Sequence, residues 1–283
     1  MKKIVTILLF TCYISSYSQN TYVPDDHFEQ FLIDSGYDVG PLDDYVLTAN
    51  INSLTELNIS IPEISNLEGI QSFIALEKLS LFLDDVIAID LTKNINLKEL
   101  IIDDDLLESL DLSKNTNLEL FYMTNTSVKE IDLSKNLNIK NLAIGTTSII
   151  NLDLSLNTLL ENVEITHGII ETINLKNSNN ILITNFNAEG LFALTCFQVD
   201  NENYSKTNWI QIDDNSVFSE TCYSPQLTYI PDDNFEQELI NLGYDSGALD
   251  DYVLTDNINK LTVLNLYSKN ISDLTGIQDF IAL

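Results

Sequence analysis

Histidine is nearly missing from this chain, with two in 283 residues, and basic side chains are scarce, 13 against 43 acidic ones. Each shortage excludes something. His27 and His167 stand alone, and no G-x-S-x-G, H-E-x-x-H, metal-ligand cluster or phosphate loop accompanies them, so most catalytic templates have no material here. Paired carboxylates could serve a glycosidase, but acidic residues are so abundant that a pair carries no signal. No catalytic residue, metal or cofactor is therefore expected. A net charge of −30 repels phosphate backbones and anionic membranes, which argues against nucleic acid as a partner. Long apolar runs are also lacking: the stretch from Ile4 to Ile14 is too short to span a bilayer. Cysteine is rare, three in all and none in a C-x-x-C pair, so a redox site is not expected.

What the chain does have is repetition. The segments IDLTKN, LDLSKN, IDLSKN, LDLSLN and INLKNS begin at residues 89, 110, 131, 152 and 173, each 21 residues after the last. A fixed period in this range marks a solenoid, whose turns bury their apolar faces only by stacking. The other half of each unit carries a second rhythm: Leu97, Leu100, Ile102; Leu118, Phe121, Met123; Ile139, Leu142, Ile144; Leu160, Val163, Ile165. Its L-x-L alternation is the period of a strand with one buried face, and one such strand per turn gives a parallel sheet with strands about 4.8 Å apart. About seven turns are expected between Leu54 and Cys196.

Two polar columns run with the frame. Asn94, Asn115, Asn136 and Asn157 recur where the chain leaves a strand and bends; a column of Asn can satisfy turn amides and tolerate left-handed geometry, so it reads as a structural ladder. Asp90, Asp111, Asp132 and Asp153 form the second column. Like charges about 5 Å apart repel, and solvent with Lys93, Lys114 and Lys135 is expected to offset them. Calcium needs six to eight oxygens, more than one Asp per turn supplies. The stretch Asp34 to Gly40 is not an EF-hand loop, since Val39 holds the glycine position.

The frame L-x-x-L-x-L and the block L-D-L-S-K-N-T, complete at Leu110 to Thr116, resemble leucine-rich repeat proteins, and most closely the internalin-type 21-residue repeats of surface proteins from Bacteroidetes-like bacteria. One feature departs: the family's Asn after the concave strand is replaced by Asp105, Thr126, Thr147 and Gly168, leaving the ladder on the opposite side. The resemblance implies an α/β solenoid, a leucine-rich repeat horseshoe with a short parallel strand per turn, a helical N-terminal cap and a closing C-terminal cap.

Taken in order, residues 1–18 read as an export signal: Lys2 and Lys3, an apolar run, then Ser16-Tyr17-Ser18 as a cleavage site. A lipidated Cys12 is not favoured, because Phe10-Thr11 lacks the small residue lipidation requires. Residues 19–53 read as the N-terminal cap, with Pro24-Asp25-Asp26 opening a helix that carries Phe28, Phe31 and Leu32 on one face and stops at Gly36. Residues 54–195 hold the array. Residues 196–222 form the capping loop, where Cys196 and Cys222, an even pair in an exported chain, are expected to join as a disulfide around Trp209. From residue 223 to 283 the cap returns: YVPDDHFEQ at 22 reappears as YIPDDNFEQ at 229, an ungapped offset of 207. His27 becomes Asn234 in that copy, so the cap does not depend on it. This segment reads as a second cap and the first repeat of a truncated second array.

In the repeats this chain resembles, outward strand residues line a concave binding face. Most here are small or polar, but Phe82, Ile101, Leu120 and Tyr122 are apolar and fall on consecutive turns, with Glu99 and Asp103 at their rim. If exposed, they form an interface centre; if the register slips by one, they are core. The expected function is a secreted or surface-displayed, non-enzymatic module that binds a protein partner. A glycan ligand and a structural spacer role are the alternatives.

Overall fold

The computed structural model describes residues 19–222, 227–246 and 248–283. The export signal expected at residues 1–18 lies outside them. The chain divides into two compact units, one ending at Glu220 and the other running from Thr221 to Leu283.

The first unit opens with a two-stranded antiparallel ribbon, Asn20–Tyr22 with Tyr45–Leu47, and a helix over Asp26–Asp34. Asp25 caps that helix, accepting the N–H groups of His27 and Phe28 at 3.0 Å each, and so satisfies two of its orphan donors. Phe28 and Leu32, four residues apart on one face, are fully buried. Gly36 (φ 77°) follows the helix in the left-handed conformation that lets the chain turn back.

Eight parallel strands then stack in one sheet: Glu56–Ser60, Lys78–Leu83, Glu99–Asp104, Leu120–Thr124, Asn141–Gly145, Asn162–Thr166, Asn185–Ala188 and Gln211–Ile212. Their register is set by the alternation read in the sequence. Leu57, Leu79, Leu100, Phe121, Leu142, Val163 and Phe186 pair turn on turn, all of them buried. Burying each such side chain contributes about 1.5–3 kcal/mol, and a one-residue slip would expose the whole row. The strand count is one more than the sequence frame suggested. The eighth strand lies inside the segment expected to be only a lid.

That segment also carries a short helix, Glu202–Asn208. Behind it Trp209, 2 % exposed, stacks on Phe186 at 4.4 Å and meets Phe218 edge-on at 5.6 Å, while its indole N–H donates to Ile183 O. An aromatic cluster thus fills the last core layer, and the disulfide Cys196–Cys222 ties this end together.

The LDLSKN blocks form short parallel strands on the opposite side. One group pairs Ala88–Ile89 with Ser109–Leu110, and another stacks Asn151–Asp153, Thr172–Asn174, Cys196–Gln198 and Val217–Ser219. The turn at Ile131 joins neither, and a cleft of about 390 Å³ opens beside it, lined by Asp132, Ser134, Asn151, Asp153, Thr172 and Asn174 among others.

The second unit repeats the ribbon and the helix of the first. Leu227–Tyr229 pairs with Tyr252–Leu254, a helix spans Asp233–Asn241, and Ile230, Phe235, Leu239, Val253, Ile258 and Phe280 make a small core. Two glycines mark where each ribbon is approached most closely. A Cβ on Gly69 (φ 103°) would lie 2.7 Å from Tyr22 O, and one on Gly276 (φ 95°) would lie 2.5 Å from Tyr229 O, so both positions exclude any side chain.

Candidate functional site

The alternation that buries the leucines puts the intervening residues on the outer face of the long sheet. Ile101 and Tyr122 are register partners there, as are Glu99 and Leu120, and Phe82 and Asp103. Phe82 is 41 % exposed; Ile101, Leu120, Tyr122, Glu99 and Asp103 are half-buried. These positions alternate with the core and do not belong to it. Tyr122 has Ile101 as its register partner on one side and Ala143 on the other.

The face is divided along its length. Turns from Lys78 to Thr124 carry the apolar residues. Turns from Asn141 onward are amide-rich, with Asn162 Nδ2 donating to Asn141 Oδ1 at 2.6 Å and Asn185 next in the column.

Both carboxylates at the rim of the apolar group are partnered. Glu99 meets Lys78 Nζ at 2.8 Å, and Asp103 Oδ1 accepts from Asn125 Nδ2 at 2.9 Å. Hydrogen bonding to Glu99 raises the Lys78 ammonium pKa above its ordinary value. The sequence reading missed a further feature along one edge: Glu77, Lys98, Glu119, Lys140 and Glu161 alternate in sign at 21-residue spacing. Lys98 pairs with Glu77 and Lys140 with Glu119, each at 2.8 Å. The hydrogen bond from Lys140 holds the Glu119 carboxyl below its usual range. Such exposed pairs contribute at most about 1 kcal/mol each, so their effect is to fix charge order along the edge.

The Asn column behaves differently from the sequence expectation. Asn94, Asn115, Asn136 and Asn157 are buried, and none has a positive φ. Each Nδ2 donates to two carbonyls of the preceding turn: Asn115 reaches Leu91 O and Asn94 O, and Asn136 reaches Leu112 O and Asn115 O, at 2.9–3.1 Å. The ladder therefore satisfies carbonyls, not amides, and left-handed geometry falls instead on Asn125, Thr146 and His167. A second, exposed column went unread. Asn96, Asn117 and Asn138 each donate to a carbonyl of the previous turn at 2.9–3.0 Å.

The Asp column is held by its own backbone. Asp90, Asp111, Asp132 and Asp153 each accept the N–H two residues on, at 2.8–2.9 Å, so every one closes an Asx turn. For Asp90, Asp111 and Asp132 the hydrogen bonds from Thr92, Ser113 and Ser134 lower the carboxyl pKa, with Lys93, Lys114 and Lys135 contributing less. Among the described residues one trio of carboxylates, Asp26, Glu29 and Asp44, lies within 4.8 Å of one another. Both Glu29 oxygens there already accept backbone amides, from Asp43 and Asp44.

No family model and no curated protein matches this chain. Solved structures do. The functional domain of internalin J from Listeria monocytogenes is 19 % identical over 64 % of this chain and 52 % of its own, with a TM-score of 0.46. Internalin C2 from the same species is 14 % identical over 72 % and 98 %, TM-score 0.44, and its internalin F is 18 % identical over 63 % and 56 %, TM-score 0.44. The chain thus spans about half the length of the internalin J domain. Its assignment as a stacked parallel solenoid stands on the strand pairing described above.

Proposed function

We propose that this chain is a non-enzymatic, extracellular binding module that takes a protein partner on the outer, concave face of its leucine-rich array. The observation that carries this is the pairing of Ile101 with Tyr122, two large side chains left half-exposed on a rigid sheet. Leu120 and Phe82 extend the apolar surface, and the amide-rich strip beyond Ala143 provides a polar flank. An apolar centre with charged residues, Glu99 and Asp103, at its rim is the anatomy of a protein interface. The disulfide Cys196–Cys222 suits an oxidising compartment.

A photo-crosslinking amino acid at Tyr122, compared with one at exposed Ser109 on the opposite side, tests this reading. Exposed to cell-surface extracts, the Tyr122 probe should capture a discrete protein that the Ser109 probe does not. Capture from Ser109 alone would assign binding to the other face, and capture of glycan instead of protein would change the ligand class.

A further inference from the structure

The cap occurs twice, and the two copies serve as a comparison within one molecule. Several exposed cap positions have diverged between them: His27 has become Asn234, Ser35 Leu242, Val39 Ser246, Pro41 Ala248 and Ser53 Lys260. Some exposed positions are identical for visible structural reasons. Asp43 and Asp250 accept the N–H of the tyrosine two residues on, and Asn50 and Asn257 donate to Tyr37 O and Tyr244 O.

The ribbon tyrosines are identical without a side-chain hydrogen bond among those described. Tyr22 and Tyr45 are 43 % and 46 % exposed, with ring centroids 5.4 Å apart and planes at 49°. Tyr229 and Tyr252 are 47 % and 44 % exposed, at 5.3 Å and 47°. Leu47 and Leu254, exposed on the same ribbon faces, are also retained. The buried sides of the ribbons, Thr21 with Val46 and Thr228 with Val253, account for their attachment to the caps. A cross-strand ring pair steadies a ribbon, but that role does not require both rings to stay half in water in both copies.

Charge says what would cover these faces. The first ribbon lies in a stretch, residues 4–77, without a single Lys or Arg, and the second in another, residues 207–259. Acidic residues surround each: Asp43 and Asp44 directly precede Tyr45, and Asp250 and Asp251 precede Tyr252. In the second unit Lys269 is already paired with Glu238 on the helix. Open tyrosine rings beside carboxylates attract cations through both ring faces and field.

We propose that each tyrosine ribbon is a docking face for a cationic polypeptide segment, whose lysine or arginine side chains lie over the paired rings while their charges face the preceding aspartates. The chain carries two such faces, one in each unit.

Calorimetric titration of the full chain with hexalysine at about 0.15 M salt tests this, since surface charges more than about 8 Å away are then screened. Two sites are expected. Tyr22→Thr with Tyr45→Thr should remove one, Tyr229→Thr with Tyr252→Thr the other, each weakening that site at least about tenfold with net charge unchanged. Phenylalanine at the same positions should retain both. Leucine pairs replace the threonine pairs if circular dichroism shows a cap has unfolded. Unchanged stoichiometry and affinity in the ring-less variants would overturn the proposal, because binding would then be to the acidic surface at large. Tyrosine-dependent binding of a neutral hexasaccharide without hexalysine binding would overturn it too, assigning the faces to glycan.

Discussion

The Asp25 carboxylate and the Ser65 amide, forty residues apart in sequence, meet at 2.9 Å. One oxygen of Asp25 caps the first helix, and the other accepts Ser65 N, Ser65 Oγ and Asn66 N, so a single side chain joins the cap to the loop after the first array strand. Asp232 does the same with Ser272 in the second copy. Glu29 and Glu236 act likewise, each taking two amides of the segment that leads into the ribbon. The repeated P-D-D-x-F-E-Q motif is therefore a fastening device. Asp25→Ala should lower stability by about 2–4 kcal/mol, because it orphans several donors of a charge-assisted cluster. Thermal melts should show this, and an unchanged melting point would refute the fastening role.

Asn115 donates to two carbonyls and its Oδ1 has no partner. Asn115→Ala should cost about 1–3 kcal/mol, and Asn115→Asp should cost more, since a carboxylate has no donor and would face two carbonyl oxygens. Urea denaturation of the two variants would decide it. Equal losses would show that the ladder's donor role has been misassigned.

Asp104 is fully buried, and burial pushes its carboxyl up to about 6, opposed by amide bonds from Leu106 and Val86 and assisted by Asp84 and Asp105. With the unfolded value near 3.9, the folded state holds this proton between pH 4 and 6 and the unfolded state does not. Stability should therefore rise as pH falls through 6 towards 4, by up to about 3 kcal/mol from this group. Asp25 works in the opposite sense. Burial, which would raise its pKa, is outweighed by the Ser65, Phe28 and Asn66 hydrogen bonds, so its contribution is lost only as pH drops below about 4. Melting at pH 5 should exceed melting at pH 7.5 in the wild type, and Asp104→Asn should shrink the difference. A variant with the same pH slope would remove Asp104 from the explanation.

Reduction of Cys196–Cys222 should destabilise the aromatic end layer by roughly 3–4 kcal/mol, the loop-entropy value for a closure of this length. Trp209 fluorescence should report that loss before far-UV circular dichroism does. Simultaneous loss of both signals would mean the end layer and the array unfold as one.

Much of this architecture was legible because two periods are written into the chain at once. The 21-residue step placed Leu79, Leu100, Phe121 and Leu142 in one column, and the two-residue alternation placed Ile101 and Tyr122 on the other side of it. The Lys78–Glu99 and Lys98–Glu77 pairs were legible by the same offset and were simply not read. Other features were hidden for physical reasons. An Asn offers both a donor and an acceptor, so composition could not say that the ladder serves carbonyls. Asp104 and Asp105 are chemically identical, and strand parity alone buries one and exposes the other. Gln211–Ile212 does not repeat the leucine frame, which concealed the eighth strand.

The outer face is tested most directly by capture from cell-surface extracts, comparing wild type with a chain carrying Ile101→Asp and Tyr122→Ala. Both proteins must first show the same circular dichroism and melting point. The double variant should fold and lose a partner the wild type retains. A folded variant that keeps every wild-type partner would contradict it.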